Sequence, residues 1–242
     1  MSIRSRYFVV VPLVALALLA GCASSPETDV AQPGDPSSET SGSPDSNVAK
    51  DERVMLLLSM DDMPSAGWVA SNVVGSDKPA APDPDEQPLG ACAVDFSGII
   101  PADATADAIT AEFARVEGKQ QLETALVRSD KATDLVDDIE AALAECTGPF
   151  SATVDGTKTV VNLYEFNMLS VGSVEIERAD AVCRDFDLTS SGVSVFGSFC
   201  FVADDDLLLS VTAFGGTTIV AKVLAPEFID IVNAATTKAF AS

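Results

Sequence analysis

Apolar residues along this chain fall into three regimes. Between Tyr7 and Ala20 they run almost unbroken, between Ala23 and Lys50 they nearly vanish, and from Asp51 onward they return in short periodic segments. The clearest period is helical. Ala132, Leu135, Val136, Ile139, Ala142, Leu143 and Cys146 recur at spacings of three and four, which puts them on one helix face. Ser129 or Asp130 is placed to cap its start, Gly148-Pro149 to stop it, and Cys146 to point inward from its last turn. A second helix is predicted from Pro226-Glu227, a favoured first turn, with Phe228, Ile231, Val232, Ala235 and Ala239 as its buried stripe. Val54–Leu58 reads as a short helix. Met63-Pro64-Ser65-Ala66-Gly67-Trp68 then makes a turn ending on a core aromatic, with a place for Trp68 in a ligand pocket as the alternative.

Between the helices the period is that of strands. Ile109–Val116 and Leu122–Val127 are strand candidates separated by a turn at Gly118–Gln121, although a helical pattern also runs through 102–114. Cys92 and Val94–Ile100 read as a strand or extended segment ending at Pro101. Phe150–Val154 and Thr157–Phe166 flank Asp155-Gly156, a dipeptide favoured in tight hairpins. Val171–Glu177 alternates apolar and acidic residues and is read as a further strand. Cys183 and Phe186 are assigned to a short connecting stretch. Ser190-Ser191-Gly192 turns into Val193–Val202, and Ala203–Asp206 turns into Leu207–Phe214, which Gly215-Gly216 closes. Residues 75–90, with four prolines, form a surface loop. Strands covered by a few helices define an α+β domain over residues 51–242.

The first regime changes the picture of where this domain works. Arg4 and Arg6 precede the apolar run, and Leu19-Ala20-Gly21-Cys22 follows it, so residues 1–21 read as a secretory signal peptide. A cysteine directly after Leu-Ala-Gly resembles the bacterial lipobox, in which the thiol is acylated and the preceding bond cut. The run is also shorter than the ~20 residues of a spanning helix. Cys22 is therefore the expected lipidation site, and its acyl chains (palmitate among them) the membrane anchor, at ~0.8 kcal/mol per buried CH₂. Residues 22–50 form a disordered tether of Ser, Pro, Thr, Gly and acids. The expected location is the extracytoplasmic face of the cell membrane.

Charge and chemistry narrow the function mainly by exclusion. The formal charge is −23, and two units more negative once Arg4 and Arg6 leave. Nucleic acid is excluded as a partner, because phosphate binding needs clustered Lys and Arg. There is no histidine, which removes Ser-His and Cys-His nucleophile pairs, His-ligated zinc and the commonest general base. Carboxylate chemistry remains, with Glu165 or Asp185 as the candidate acids. Asp204-Asp205-Asp206 invites a calcium reading but lacks the ligand spacing of an EF-hand loop, so a charged hairpin tip is the expected role. No catalytic, cofactor or metal site is assigned. Cys92, Cys146, Cys183 and Cys200 form an even set in an exported chain and so read as two disulfides, with three pairings open.

The order of these segments carries a resemblance. Leu56-Leu57-Leu58 with Met63–Trp68, then Cys92, the helix closing on Cys146, Val171-Gly172-Ser173-Val174, the strand ending at Cys200 and the final helix are similar to the PknH-like extracellular sensor domains of actinobacteria. That family includes the sensor of mycobacterial PknH-type Ser/Thr kinases and free lipoproteins. The resemblance implies a twisted antiparallel sheet packed with two main helices, the pairs Cys92–Cys146 and Cys183–Cys200, and a groove for a ligand. It implies a monomeric, non-enzymatic sensor-like domain that binds an envelope lipid, glycan or protein partner. A lipid carrier, which requires an apolar hollow behind the 193–214 hairpin, and a carboxylate hydrolase are the alternatives.

Overall fold

A computed structural model describes residues 52–74, 89–115, 120–154, 157–166, 180–215 and 218–240. Eight strands form one sheet: β1 (Val69–Val74), β2 (Ile109–Arg115), β3 (Gln120–Arg128), β4 (Phe150–Val154), β5 (Thr157–Glu165), β6 (Ala181–Ser190), β7 (Val193–Asp204) and β8 (Leu207–Gly215). Their spatial order is β1-β2-β3-β8-β7-β6-β5-β4, and every neighbouring pair is antiparallel. The helices are α1 (Ala102–Ala106), α2 (Ala132–Ala144) and α3 (Thr218–Phe240). The α+β expectation holds.

Strand parity divides the core in two. On one face Phe199, Phe201 and Ala203 of β7, Leu208 and Phe214 of β8, and Val182, Phe186 and Leu188 of β6 pack under Leu135, Val136, Ile139 and Leu143 of α2. Phe96 inserts here, its ring centroid 5.4 Å from Phe199 and 4.9 Å from Phe201, both edge-on. On the other face Cys200, Val202, Leu209, Val211 and Ala213 meet Phe228, Ile231, Val232, Ala235 and Ala239 of α3, together with Leu57, Leu58 and Trp68 from the N-terminal segment. The predicted stripe of α3 is buried in full. Gly197 of β7 is required by packing: a Cβ there would lie 2.6 Å from the Phe186 ring and 2.5 Å from the Ala213 carbonyl.

Several expectations are corrected. Val94–Ile100 is not a strand. The Asp95 carboxylate accepts hydrogen bonds from the Leu89 amide (2.7 Å), and from the Ser97 amide (3.0 Å) and hydroxyl (2.6 Å), while the Ile99 and Ile100 amides donate to the Phe96 carbonyl. An aspartate that bonds the backbone two residues on offers the chain a turn in place of a ladder. Val94, fully buried, sits at φ 60°, a left-handed conformation that costs a β-branched residue on the order of 1–3 kcal/mol. Residues 102–106 alone of the 102–114 segment are helical. Cys183 lies within β6 and not in a connecting stretch; Asp185 and Asp187 on one face, and Arg184 among Val182, Phe186 and Leu188 on the other, obscure the alternation.

The helix ends differ too. The N-cap position of α2 is Lys131, with no side-chain cap; Ser129 instead accepts the Lys131 amide with its hydroxyl (3.2 Å) and the Ala132 amide with its carbonyl. The helix stops at Ala144, so Cys146 lies beyond the last turn and is half-buried. Helix α3 begins at Thr218, eight residues before Pro226. A helix tolerates an internal proline at the loss of one hydrogen bond when the rest of it is well packed. Asp155-Gly156, Val171–Glu177, most of the 75–90 loop and the predicted turn at Gly118–Gln121, apart from Gln120 and Gln121, fall outside the described residues.

The disulfides are Cys92–Cys146 (Cα–Cα 5.4 Å) and Cys183–Cys200 (Cα–Cα 4.1 Å), the pairing that the family resemblance implies. Cys183 and Cys200 are already opposite each other in the β6–β7 register. Cys92–Cys146 instead ties the turn at Ala91–Ala93 to the end of α2, across a sequence separation of 54 against 17. Chain entropy gives ~4 kcal/mol for the longer loop and ~3 kcal/mol for the shorter. The Cys92→Ala/Cys146→Ala double variant is expected to have the lower thermal midpoint of the two double variants. Calorimetry of both, with the reverse ranking, would contradict this account of what each bond constrains.

Candidate functional site

Helices α2 and α3 cover opposite faces and, among the described residues, leave part of each face bare of helix. On the α3 side, register places Val160, Thr189 and Ser194 in one row across β5, β6 and β7, Asn162, Asp187 and Phe196 in the next, and Tyr164, Asp185 and Ser198 in a third. In the row after that, the Cys183–Cys200 disulfide already belongs to the core under α3. The change from apolar to polar therefore marks where the helix cover ends.

The polar rows are knitted across strands. The Tyr164 hydroxyl donates to Asp187 Oδ2 (2.5 Å) and the Asn162 amide to Asp187 Oδ1 (2.9 Å). The Ser198 hydroxyl donates to Asp185 Oδ1 (2.5 Å), and the Thr189 and Ser194 hydroxyls are 2.8 Å apart. The hydrogen bond to Asp187, with burial and the Asp187 charge added, pushes the Tyr164 hydroxyl up to about 12. The ring stays neutral and is 50% exposed. Asp187 is buried, and Phe196, Ser198 and Asp185 are half-buried.

Elsewhere on the same side a charged cluster fastens α3 to the strands. The Arg115 guanidinium donates to both carboxylate oxygens of Glu227 (2.6 and 2.9 Å) and to Gln120 Oε1 (3.1 Å), and lies 4.5 Å above the Trp68 ring. The Trp68 indole donates to the same carboxylate (2.9 Å), and Ser65 bonds both ions. Burial alone would raise the Glu227 carboxyl, but Arg115, Ser65 and Trp68 hold it below its ordinary value. This cluster joins the N-terminal turn, β2, β3 and α3, and all its donors but the buried Arg115 Nε find a partner among the described residues. Trp68 is thus the predicted core aromatic.

A third constellation escaped the sequence reading. Glu112 of β2 and Glu123 of β3 are directly opposite in register, on the α2 side. Burial and the neighbouring Glu112 charge push the Glu123 carboxyl up to about 7, and burial raises Glu112. Like charges facing each other across a strand pair are destabilising unless one is protonated.

The predicted sites fare unequally. Cys22 lies outside the described residues. Glu165 and Asp185, the two candidate acids, lie on opposite faces of the sheet: Glu165 shares the parity of Val161 and Leu163 on the α2 side, and Asp185 that of Cys183 on the α3 side. Asp205 and Asp206 form the turn between β7 and β8, where the Ser129 amide donates to the Asp206 carbonyl and Arg128 pairs with the Asp206 carboxylate at 3.0 Å. Among the described residues no group of three or more metal-ligating side chains converges. Nor is any described helix long and apolar enough to cross a membrane.

Among solved structures, the chain is similar to the extracellular domain of PknH from Mycobacterium tuberculosis. The identity is 14% and the TM-score 0.44, over 74% of this chain and 93% of that one. No family model matches the chain, and no curated protein matches its sequence.

The glutamate pair generates a pH dependence of definite sign. A carboxyl whose folded value lies above its unfolded value stabilises the fold fully below the unfolded value, and that contribution is lost as pH rises through about 7. Glu227 and Asp62, both lowered, act in the opposite sense and only at more acidic pH. Between pH 5 and pH 8 the thermal midpoint is therefore expected to fall by a few °C, on the order of 1–3 kcal/mol. Glu123→Gln should flatten the profile. An equally steep fall in that variant would show that the pair is not its source.

Proposed function

We propose that this chain is an exported, lipid-anchored, non-enzymatic binding domain, held at the extracytoplasmic face of the membrane through Cys22. Its ligand surface is the polar half-face of β5, β6 and β7. The observation that carries the reading is the pair of disulfides in a chain that opens on a signal-like run ending Leu-Ala-Gly-Cys. Structural disulfides persist in oxidising compartments outside the cytoplasm, and acylation at Cys22 would hold the domain there. The carrier alternative loses support. The Phe96, Phe199 and Phe201 rings and the α2 stripe fill the space behind the β7–β8 hairpin on one face, and α3 fills it on the other, where a carrier needs a hollow.

Cys22→Ser is expected to abolish fatty-acid labelling and to move the protein from the membrane fraction to the soluble exported fraction, or to leave an unprocessed precursor. A fully processed Cys22→Ser protein that stays in the membrane would overturn the anchor. Native mass spectrometry of the protein taken from its own envelope, showing an added mass that Tyr164→Ala removes, tests the binding surface.

A further inference from the structure

Strands lie ~4.8 Å apart and alternate residues along a strand ~6.8 Å apart. Tyr164 on β5 and Phe196 on β7 are therefore about 12 Å from each other on the diagonal, with Asp185 and Asp187 of β6 between them. We propose that this patch binds a neutral oligosaccharide, with a disaccharide unit lying from Tyr164 to Phe196. The proposal rests on the reading of this half-face as the ligand surface.

The chemistry on the patch selects that class. A pyranose has an apolar C–H face and a rim of hydroxyls, so it needs aromatic surface beside hydrogen-bonding groups already fixed in place. Tyr164 supplies a ring that is half exposed yet held by its own hydroxyl on Asp187, so little rotamer freedom remains to be lost on binding. The Asp187 carboxylate carries lone pairs beyond those engaged by Tyr164 and Asn162. It accepts from sugar hydroxyls, and the Asn162 and Ser198 side-chain oxygens are further acceptors for the same purpose. Anionic ligands are repelled, since none of the six side chains is basic and the whole chain carries −23. A cationic peptide is the weaker fit: Asp187 is buried and already receives two hydrogen bonds, so it presents directional acceptors more than open charge.

The test is saturation-transfer NMR on the processed full chain in detergent. The probes are maltose, cellobiose and N,N′-diacetylchitobiose, with a glucuronate-containing disaccharide and tetralysine for comparison. At least one neutral disaccharide is expected to show transfer, and the glucuronate disaccharide none. Tyr164→Ala, at an exposed position, should weaken binding at least about tenfold, as loss of an anchoring ring does. Tyr164→Phe keeps the ring and should weaken it less. Asp187→Asn is the second variant, and an unchanged thermal midpoint certifies its fold and that of Tyr164→Ala. The proposal is overturned if no neutral disaccharide shows transfer, or if transfer is indifferent to both Tyr164→Ala and Asp187→Asn. Transfer from tetralysine alone, lost in Tyr164→Ala, would keep the face as a ligand surface and reject the sugar. No Tyr164-dependent transfer from any probe would remove the surface as well.

Discussion

Two adjacent strands with apolar side chains on both faces must be covered twice. In β7 and β8, Phe199, Phe201 and Leu208 point one way, and Cys200, Val202, Leu209 and Val211 the other, all nearly inaccessible to water. A fully buried large side chain is worth ~1.5–3 kcal/mol relative to exposure, so leaving either face open would forfeit much of the few kcal/mol by which a domain is stable. The architecture follows from that demand. Helix α2 and the Phe96 turn close one face, and α3 with the Trp68 segment closes the other.

Among the described residues α2 and α3 do not cover all eight strands on both sides, and the parts they leave are where the polar chemistry collects. On the α3 side, the rows beyond the Cys183–Cys200 disulfide carry Asn162, Tyr164, Asp185 and Asp187, bonded to one another or to Ser198. On the α2 side, the β2–β3 pair carries Glu112 and Glu123, which face each other. The first set is mutually satisfied and rigid; the second is electrostatically frustrated at neutral pH. Rigid polar groups beside half-exposed rings suit recognition, whereas a frustrated pair makes stability respond to protons.

Much of this was legible along the chain, for physical reasons. The stripe of α2, the meander from Val193 to Phe214 and the inward side of α3 announce themselves because burial of one face imposes a period. What was missed depends on pairing or on local bonds that compete with the period. Val94–Ile100 has a strand composition, yet Asp95 diverts it into turns. Cys183 reads as loop because β6 places Asp185 and Asp187 where no described helix covers the sheet. The facing of Glu112 and Glu123 is a matter of register, and an expected turn at Gly118–Gln121, against a β3 that begins at Gln120, shifts register enough to hide it.

The fold is organised around β7 and β8, enclosed on both faces, with the half-sheet of β4 and β5 carried on it. Amide hydrogen exchange of the full chain tests this most directly. The account predicts that the slowest amides lie in β3, β8 and β7 and exchange only on global unfolding. Those of β4 and the outer edge of β5 should exchange sooner by local opening. Slowest exchange in β4 and β5, with β7 and β8 opening first, would contradict it.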